Sequence, residues 1–214
     1  QRLHTASEAP GTGIGLALAG AFAERGNTVA ICGRRQDKLD EACRQVPGLR
    51  AYRCDVSDAG DRQRLLEAIT RDGLSINVLF NNAGVGKGGP IDEMPADDID
   101  LVLDVNLKGV INGVNAALPL LRETPGARIV NTASVAGVFG APNLSVYCAT
   151  KFGVRGLTEA LDIEFSKYGV RVVSLMPWFI DTAILDGQPA DGSNRRIRDT
   201  LTENKTPIYP VSMA

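Results

Sequence analysis

The sequence predicts an α/β fold: a doubly wound parallel sheet in three layers, α/β/α, forming a single domain over residues 1–214. Three observations predict it. Short β-branched runs alternate with helical patterns along most of the chain. The runs are apolar on both faces, as strands are when helices cover both sides of a parallel sheet. A glycine-rich turn, Gly11-Thr-Gly13-Ile-Gly15, opens the first helix.

Taken in order, Thr28–Cys32, Leu49–Cys54, Asn77–Phe80, Ala127–Thr132 and Val170–Leu175 read as strands. Between them Gly15–Arg25, Gln36–Gln45, Asp58–Arg71, Asp97–Leu121 and Tyr147–Tyr168 read as helices. In the fourth helix Ile99, Val102, Leu103, Asn106 and Val110 recur at helical spacing, which puts one face inward. Strand–helix alternation of this length requires right-handed βαβ crossovers, hence a doubly wound sheet. The segment Asp186–Asn204 is polar and reads as a loop or short helices, inside a substrate loop of about residues 182–210.

Composition narrows the function classes. A net charge of −2 leaves no basic face of the kind nucleic acid requires. No apolar run approaches the roughly 20 residues of a membrane span. Gln1–Pro10 lacks the charged-then-apolar layout of a signal peptide. The expectation is a soluble cytoplasmic protein with neither nucleic-acid nor membrane partners. Cys32, Cys43, Cys54 and Cys148 are widely spaced and read as free thiols, buried or partly buried. The single histidine, His4, leaves a His-rich metal centre impossible, and no metal is expected. Any chemistry therefore rests on Tyr, Lys, Ser, Asp, Glu or Cys.

Glycines at Gly11, Gly13 and Gly15, with Ile14 between the last two, let backbone approach a pyrophosphate at a helix N-terminus, and mark the sheet as Rossmann-like. At the end of the following strand, 18 residues past Gly15, an NAD-specific site carries Asp or Glu for the ribose 2′-hydroxyl. Here that place holds Gly33, followed by Arg34 and Arg35. The carboxylate that would repel a 2′-phosphate is gone, and guanidinium groups pair with phosphate bidentately. The expected cofactor is NADP rather than NAD.

Four further elements fall in order. Asn81-Asn82-Ala83-Gly84 follows the third of the apolar runs named above. Asn106 lies in Val105-Asn-Leu-Lys-Gly109, Ser134 ends Ala127–Ser134, and Tyr147-Cys-Ala-Thr-Lys151 starts the next helix 13 residues later. Together, over about Gly11 to Thr182, they resemble the short-chain dehydrogenase/reductase family. The resemblance implies hydride transfer between NADP(H) and a carbonyl compound or secondary alcohol. Tyr147 would be the acid/base, Ser134 a hydrogen-bond partner of the reacting oxygen, and Lys151 a holder of the nicotinamide ribose. Asn106 would anchor a water behind Lys151. Tyr147 and Lys151 share a helix face, and the ammonium is expected to pull the tyrosine below its reference pKa of about 10. Asp55 and Val56 match the family's adenine position; Asn82, Ala83 and Gly84 line the adenosine side; Pro177 and Thr182 match its P-G-x-x-x-T.

Three departures stand out. Ala9 and Pro10 occupy the start of the glycine turn, and Arg2–Glu8 is too polar for a central buried strand, although a parallel sheet requires one beside Asn77–Phe80. Trp178 replaces the glycine after Pro177, adding bulk beside the nicotinamide. The chain ends at Ala214, short of the family's usual last helix and last strand. Alternatives within the same fold are a 3-oxoacyl-thioester reductase, which needs a basic docking surface, and a non-catalytic dinucleotide-sensing regulator. The resemblance further implies a homodimer or homotetramer built on the fourth and fifth helices, where Leu118, Leu121, Leu157, Leu161 and Phe165 exceed one sheet-facing stripe.

Overall fold

The structure, a computed structural model, describes residues 2–7, 13–186 and 196–213. Gly11, together with Ala9 and Pro10, lies outside the described residues. Six strands form one parallel sheet in the order β3-β2-β1-β4-β5-β6. They are β1 (Arg2–Ser7), β2 (Thr28–Gly33), β3 (Arg50–Arg53), β4 (Ser75–Asn81), β5 (Arg128–Thr132) and β6 (Arg171–Leu175). The doubly wound prediction therefore holds. The strand order reverses between β1 and β4, the switch point where such sheets open a crevice at their carboxyl ends.

β1 is the element that composition argued against. It pairs with β2 through Thr5↔Ala30 and with β4 through Thr5↔Leu79, in the centre of the sheet. Its neighbours supply the reason. β2 is buried from Val29 to Gly33 and β4 is buried at Ile76, Leu79 and Phe80. Both need a backbone partner on the β1 side for their N–H and C=O groups.

The helices are α1 (Ile14–Glu24), α2 (Gln36–Gln45), α3 (Ala59–Arg71), α4 (Ala96–Leu103), α5 (Gly109–Leu121), α6 (Ser145–Phe165) and α7 (Ile197–Glu203). Asp58 caps α3 by accepting from the Asp61 N–H at 2.7 Å, which explains why that helix starts where it does. On one face of the sheet, Ala19 of α1 and Leu39 and Ala42 of α2 pack on Val29, Ile31 and Phe80. Phe22 meets Phe80 edge-on, with centroids 5.4 Å apart. On the other face α3, α5 and α6 bury Ile69, Val114, Leu121, Leu161 and Phe165 against Ile76, Ile129 and Val172.

Two expectations change here. The single helix over 97–121 is α4 and α5 joined by a π-helical turn, Asp104–Lys108. Leu103, the last residue of α4, faces solvent, while Val102, Asn106 and Val110 stay buried. Leu121, Leu161 and Phe165 belong to the core, with Leu118 and Leu157 packed against it. They are not surplus to the sheet-facing stripe. The exposed apolar residues of these helices are Leu103, Phe152 and Ile163. All four cysteines are free thiols, three of them buried. No helix among the described residues is long and apolar enough to cross a membrane.

Candidate active site

The carboxyl ends of β4 and β5 and the first turns of α6 bring Asn106, Ser134, Tyr147 and Lys151 together. Lys151 sits within α6 and is only 3% exposed. Its Nζ donates to the carbonyl of Thr132, the last residue of β5, at 2.9 Å. The same Nζ lies 5.6 Å from the centre of the Tyr147 ring. A Cβ built on Gly84 would stand 3.8 Å from Lys151 Nζ and 3.6 Å from Asn106 Oδ1, so the turn after β4 is where those two groups converge.

Asn106 is fully buried in the π turn. Its amide is clamped to one residue: Oδ1 accepts from the Val85 N–H at 2.8 Å, and Nδ2 donates to the Val85 carbonyl at 2.9 Å. A buried amide satisfied on both atoms holds the turn 82–85 to the helix layer. Ser134 lies two residues beyond β5 and starts a 3₁₀ turn, Val135–Gly137, its hydroxyl accepting from the Ala136 N–H at 3.2 Å.

Electrostatics reverse one expectation. Burial holds the Tyr147 hydroxyl above its ordinary pKa, and a hydrogen bond from Ser134 only partly offsets this. The lysine does not reverse this: its Nζ donates to the Thr132 carbonyl and lies 5.6 Å from the ring centre. Burial also lowers Lys151 from 10.5 to about 8. The pair is thus a neutral phenol beside a weakened ammonium, both shielded from water.

The predicted cofactor residues frame the same crevice. α1 begins at Ile14 behind Gly13, whose φ of 91° suits glycine, and among the described residues no side-chain cap is made there. No acidic residue occupies its first turn. Thr182 Cγ2 stands 3.4 Å from where a Gly13 Cβ would be, and Gly15 faces the Asn82 amide. Asn82 Oδ1 accepts from Thr132 Oγ1 at 3.1 Å, and Ala83 is buried. The Pro177 carbonyl accepts from the Val135 N–H at 3.2 Å, joining the loop after β6 to the serine turn.

Gly33 is buried at the end of β2, with Arg34 and Arg35 exposed beyond it. The Asp55 carboxylate accepts from both the backbone and hydroxyl of Ser57, at 2.9 and 2.6 Å, and Val56 packs into the core beside it. Two participants escaped sequence reasoning: the Thr132 carbonyl that holds Lys151 and the Val85 backbone that holds Asn106. Both act through main-chain atoms, which leave no side-chain signature.

The family model for short chain dehydrogenases matches residues 9–192. The chain belongs to the short-chain dehydrogenase family. Similar proteins include an oxidoreductase of Sarocladium schorii, 39% identical over 174 residues, covering 81% of this chain and 70% of that protein. An uncharacterized oxidoreductase of Staphylococcus aureus strain N315 is 32% identical over 176 residues, covering 81% of this chain and 76% of that protein. This short-chain dehydrogenase is accordingly an oxidoreductase, of a family that uses NAD(P). The acid-free first turn of α1 and the glycine facing Thr182 fit a dinucleotide's phosphates and nicotinamide end.

Proposed function

We propose that this short-chain dehydrogenase is NADP-dependent and interconverts a carbonyl compound and a secondary alcohol, with Tyr147 as the acid/base. The observation that carries the reading is Lys151, buried on α6 with its Nζ 5.6 Å from the centre of the Tyr147 ring, close to the Ser134 turn that follows β5. NADP(H), when bound, supplies or accepts the hydride at the carbonyl carbon.

Everything else falls to the protein. Tyr147, a phenol whose pKa burial raises, donates its proton to the carbonyl oxygen during reduction and takes it back during oxidation. Ser134 donates to the same oxygen as charge develops there, the kind of fixed donor that stabilises a transition state. Lys151, positioned by Thr132, holds the ribose hydroxyls and offers positive charge to the departing phenolic proton's site. Asn106, locked to Val85, keeps the loop 82–85 against Lys151 and anchors a water in the relay behind it. Gly33, Arg34 and Arg35 support NADP, because no carboxylate ends β2 and two guanidinium groups follow it. Asp55, Val56, Asn82, Ala83 and Gly84 line the adenosine side, and Gly13, Ile14, Gly15, Pro177 and Thr182 the phosphate and nicotinamide sides.

The test is NADPH oxidation with a panel of ketones. Tyr147→Phe removes the proton and keeps the ring, so turnover falls at least ~10²-fold while the fold and dinucleotide affinity persist. Wild-type-like turnover in that variant overturns the assignment.

A further inference from the structure

Apolar side chains face water on the rim beside Ser134 and Tyr147. Phe139 is 49% exposed and Trp178 40%, flanked by exposed Val138 and Met176. The two rings pair at 6.2 Å between centroids, tilted by 45°. Phe179 packs edge-on against the indole at 5.4 Å and 82°, fixing its plane from a second side. An aromatic pair held this firmly, yet left open, is surface kept for contact.

Backbone contacts place the pair next to the reacting groups. Ala133 N–H donates to the Leu175 carbonyl at 2.8 Å and Val135 N–H to the Pro177 carbonyl at 3.2 Å, so the segments carrying Phe139 and Trp178 leave the sheet side by side. A Cβ on Gly137 would lie 2.7 Å from the Lys151 carbonyl, so the turn before Phe139 rests directly on α6. Beyond Phe139, Ala141 N–H donates to Cys148 Sγ at 3.4 Å. Phe139 is therefore held between two anchors on α6, at Lys151 and at the residue after Tyr147. No charged residue occurs in Val138–Gly140 or Met176–Phe179.

We infer that Phe139 and Trp178 form a stacking wall that selects planar, uncharged aryl ketones, the ring lying on the indole while the carbonyl oxygen meets Ser134 and Tyr147. This rests on the carbonyl-reducing role proposed above. The oxygen's position is set by the two hydroxyls, so the remainder of the substrate must leave over the rim. In Val138–Gly140 and Met176–Phe179 that rim offers π faces and carries no charge. A flat ring gains offset stacking there, whereas a flexible aliphatic chain gains apolar contact alone and gives up more rotamer freedom.

Trp178 is the only tryptophan in the chain, so its fluorescence reports on this wall directly. The wild-type protein is titrated with an aryl ketone such as acetophenone and with an aliphatic ketone of similar size, each with and without NADP. The expected result is saturable quenching by the aryl ketone and little response to the aliphatic one. In steady state the ratio of kcat/KM for aryl over aliphatic ketone falls about tenfold or more in Trp178→Ala and in Phe139→Ala, and Trp178→Phe restores most of it. Saturable quenching without turnover of any ketone supports the wall and refutes the catalytic reading. Unchanged ratios in both alanine variants overturn the wall, as does quenching that rises only linearly. A tryptophan signal that follows protein concentration instead of ketone also overturns it, and assigns the patch to a second copy of the chain.

Discussion

Replacing Lys151 by methionine tests whether the site holds a buried cation. Removal from water disfavours the ammonium and lowers its pKa from 10.5 to about 8. Between those values the unfolded chain keeps a proton that the folded chain has released. Stability must therefore rise with pH across this window and carry the full burial cost below pH 8. The difference between 10.5 and about 8, at about 1.4 kcal/mol per pH unit, is about 3–4 kcal/mol. Tyr147 acts in the opposite sense: its raised pKa favours the folded state's proton, and its contribution fades only above about pH 10. The clean window is thus pH 8–10. Methionine keeps the apolar stem and cannot titrate; the Thr132 carbonyl it leaves without its donor adds a cost that does not vary with pH. Urea denaturation of both proteins without dinucleotide, from pH 7.5 to 10, isolates the effect. The wild-type protein should gain about 2–3 kcal/mol on the variant, roughly 5–10 °C in Tm for a chain of this size. A difference that stays flat across the window refutes the buried ammonium.

Three further outcomes are expected. The kcat/KM ratio of NADPH over NADH should exceed one, and Arg34→Ala should lower it; preference for NADH refutes the reading of Gly33-Arg34-Arg35. Gly113→Ala places a Cβ 2.5 Å from Asn81 Oδ1, whose amide is pinned to Asn131 at 2.9 Å and through it to Thr158 at 3.0 Å. Overpacking there should cost about 1–3 kcal/mol in urea denaturation, despite alanine's better helix propensity, and a stabilised variant contradicts the close packing of α5 on β4. Light scattering at micromolar concentration should give a homodimer or homotetramer, with Ile163→Lys, at a position 77% exposed, shifting it toward monomer; a monomeric wild-type mass counts against assembly through α4, α5 and α6.

The residues of the candidate site were legible because their chemistry lives in side-chain type and spacing. Ser134, Tyr147 and Lys151 stand in a motif that can be read from a string of letters, and Asn106 in Val105-Asn-Leu-Lys-Gly109, each through the resemblance to the family. β2 to β6 and α1 to α3 were legible because burial on both faces, or on one helical stripe, leaves a periodic trace. Tertiary structure decided the rest, wherever the determinant was a neighbour's need or a main-chain atom. Polar Arg2–Ser7 becomes the central strand because β2 and β4 both present unpaired backbone to it. The π turn that seats Asn106 has no composition of its own; it exists where the buried amide reaches the Val85 backbone. Leu121, Leu161 and Phe165 lie in the core because they share one cluster with Ile69 of α3 and with Ile76, Ile129 and Val172 of the sheet, so a wider face than one stripe is buried. The pKa values of Tyr147 and Lys151 follow desolvation, which depends on everything packed around a charge and on nothing in its own sequence neighbourhood.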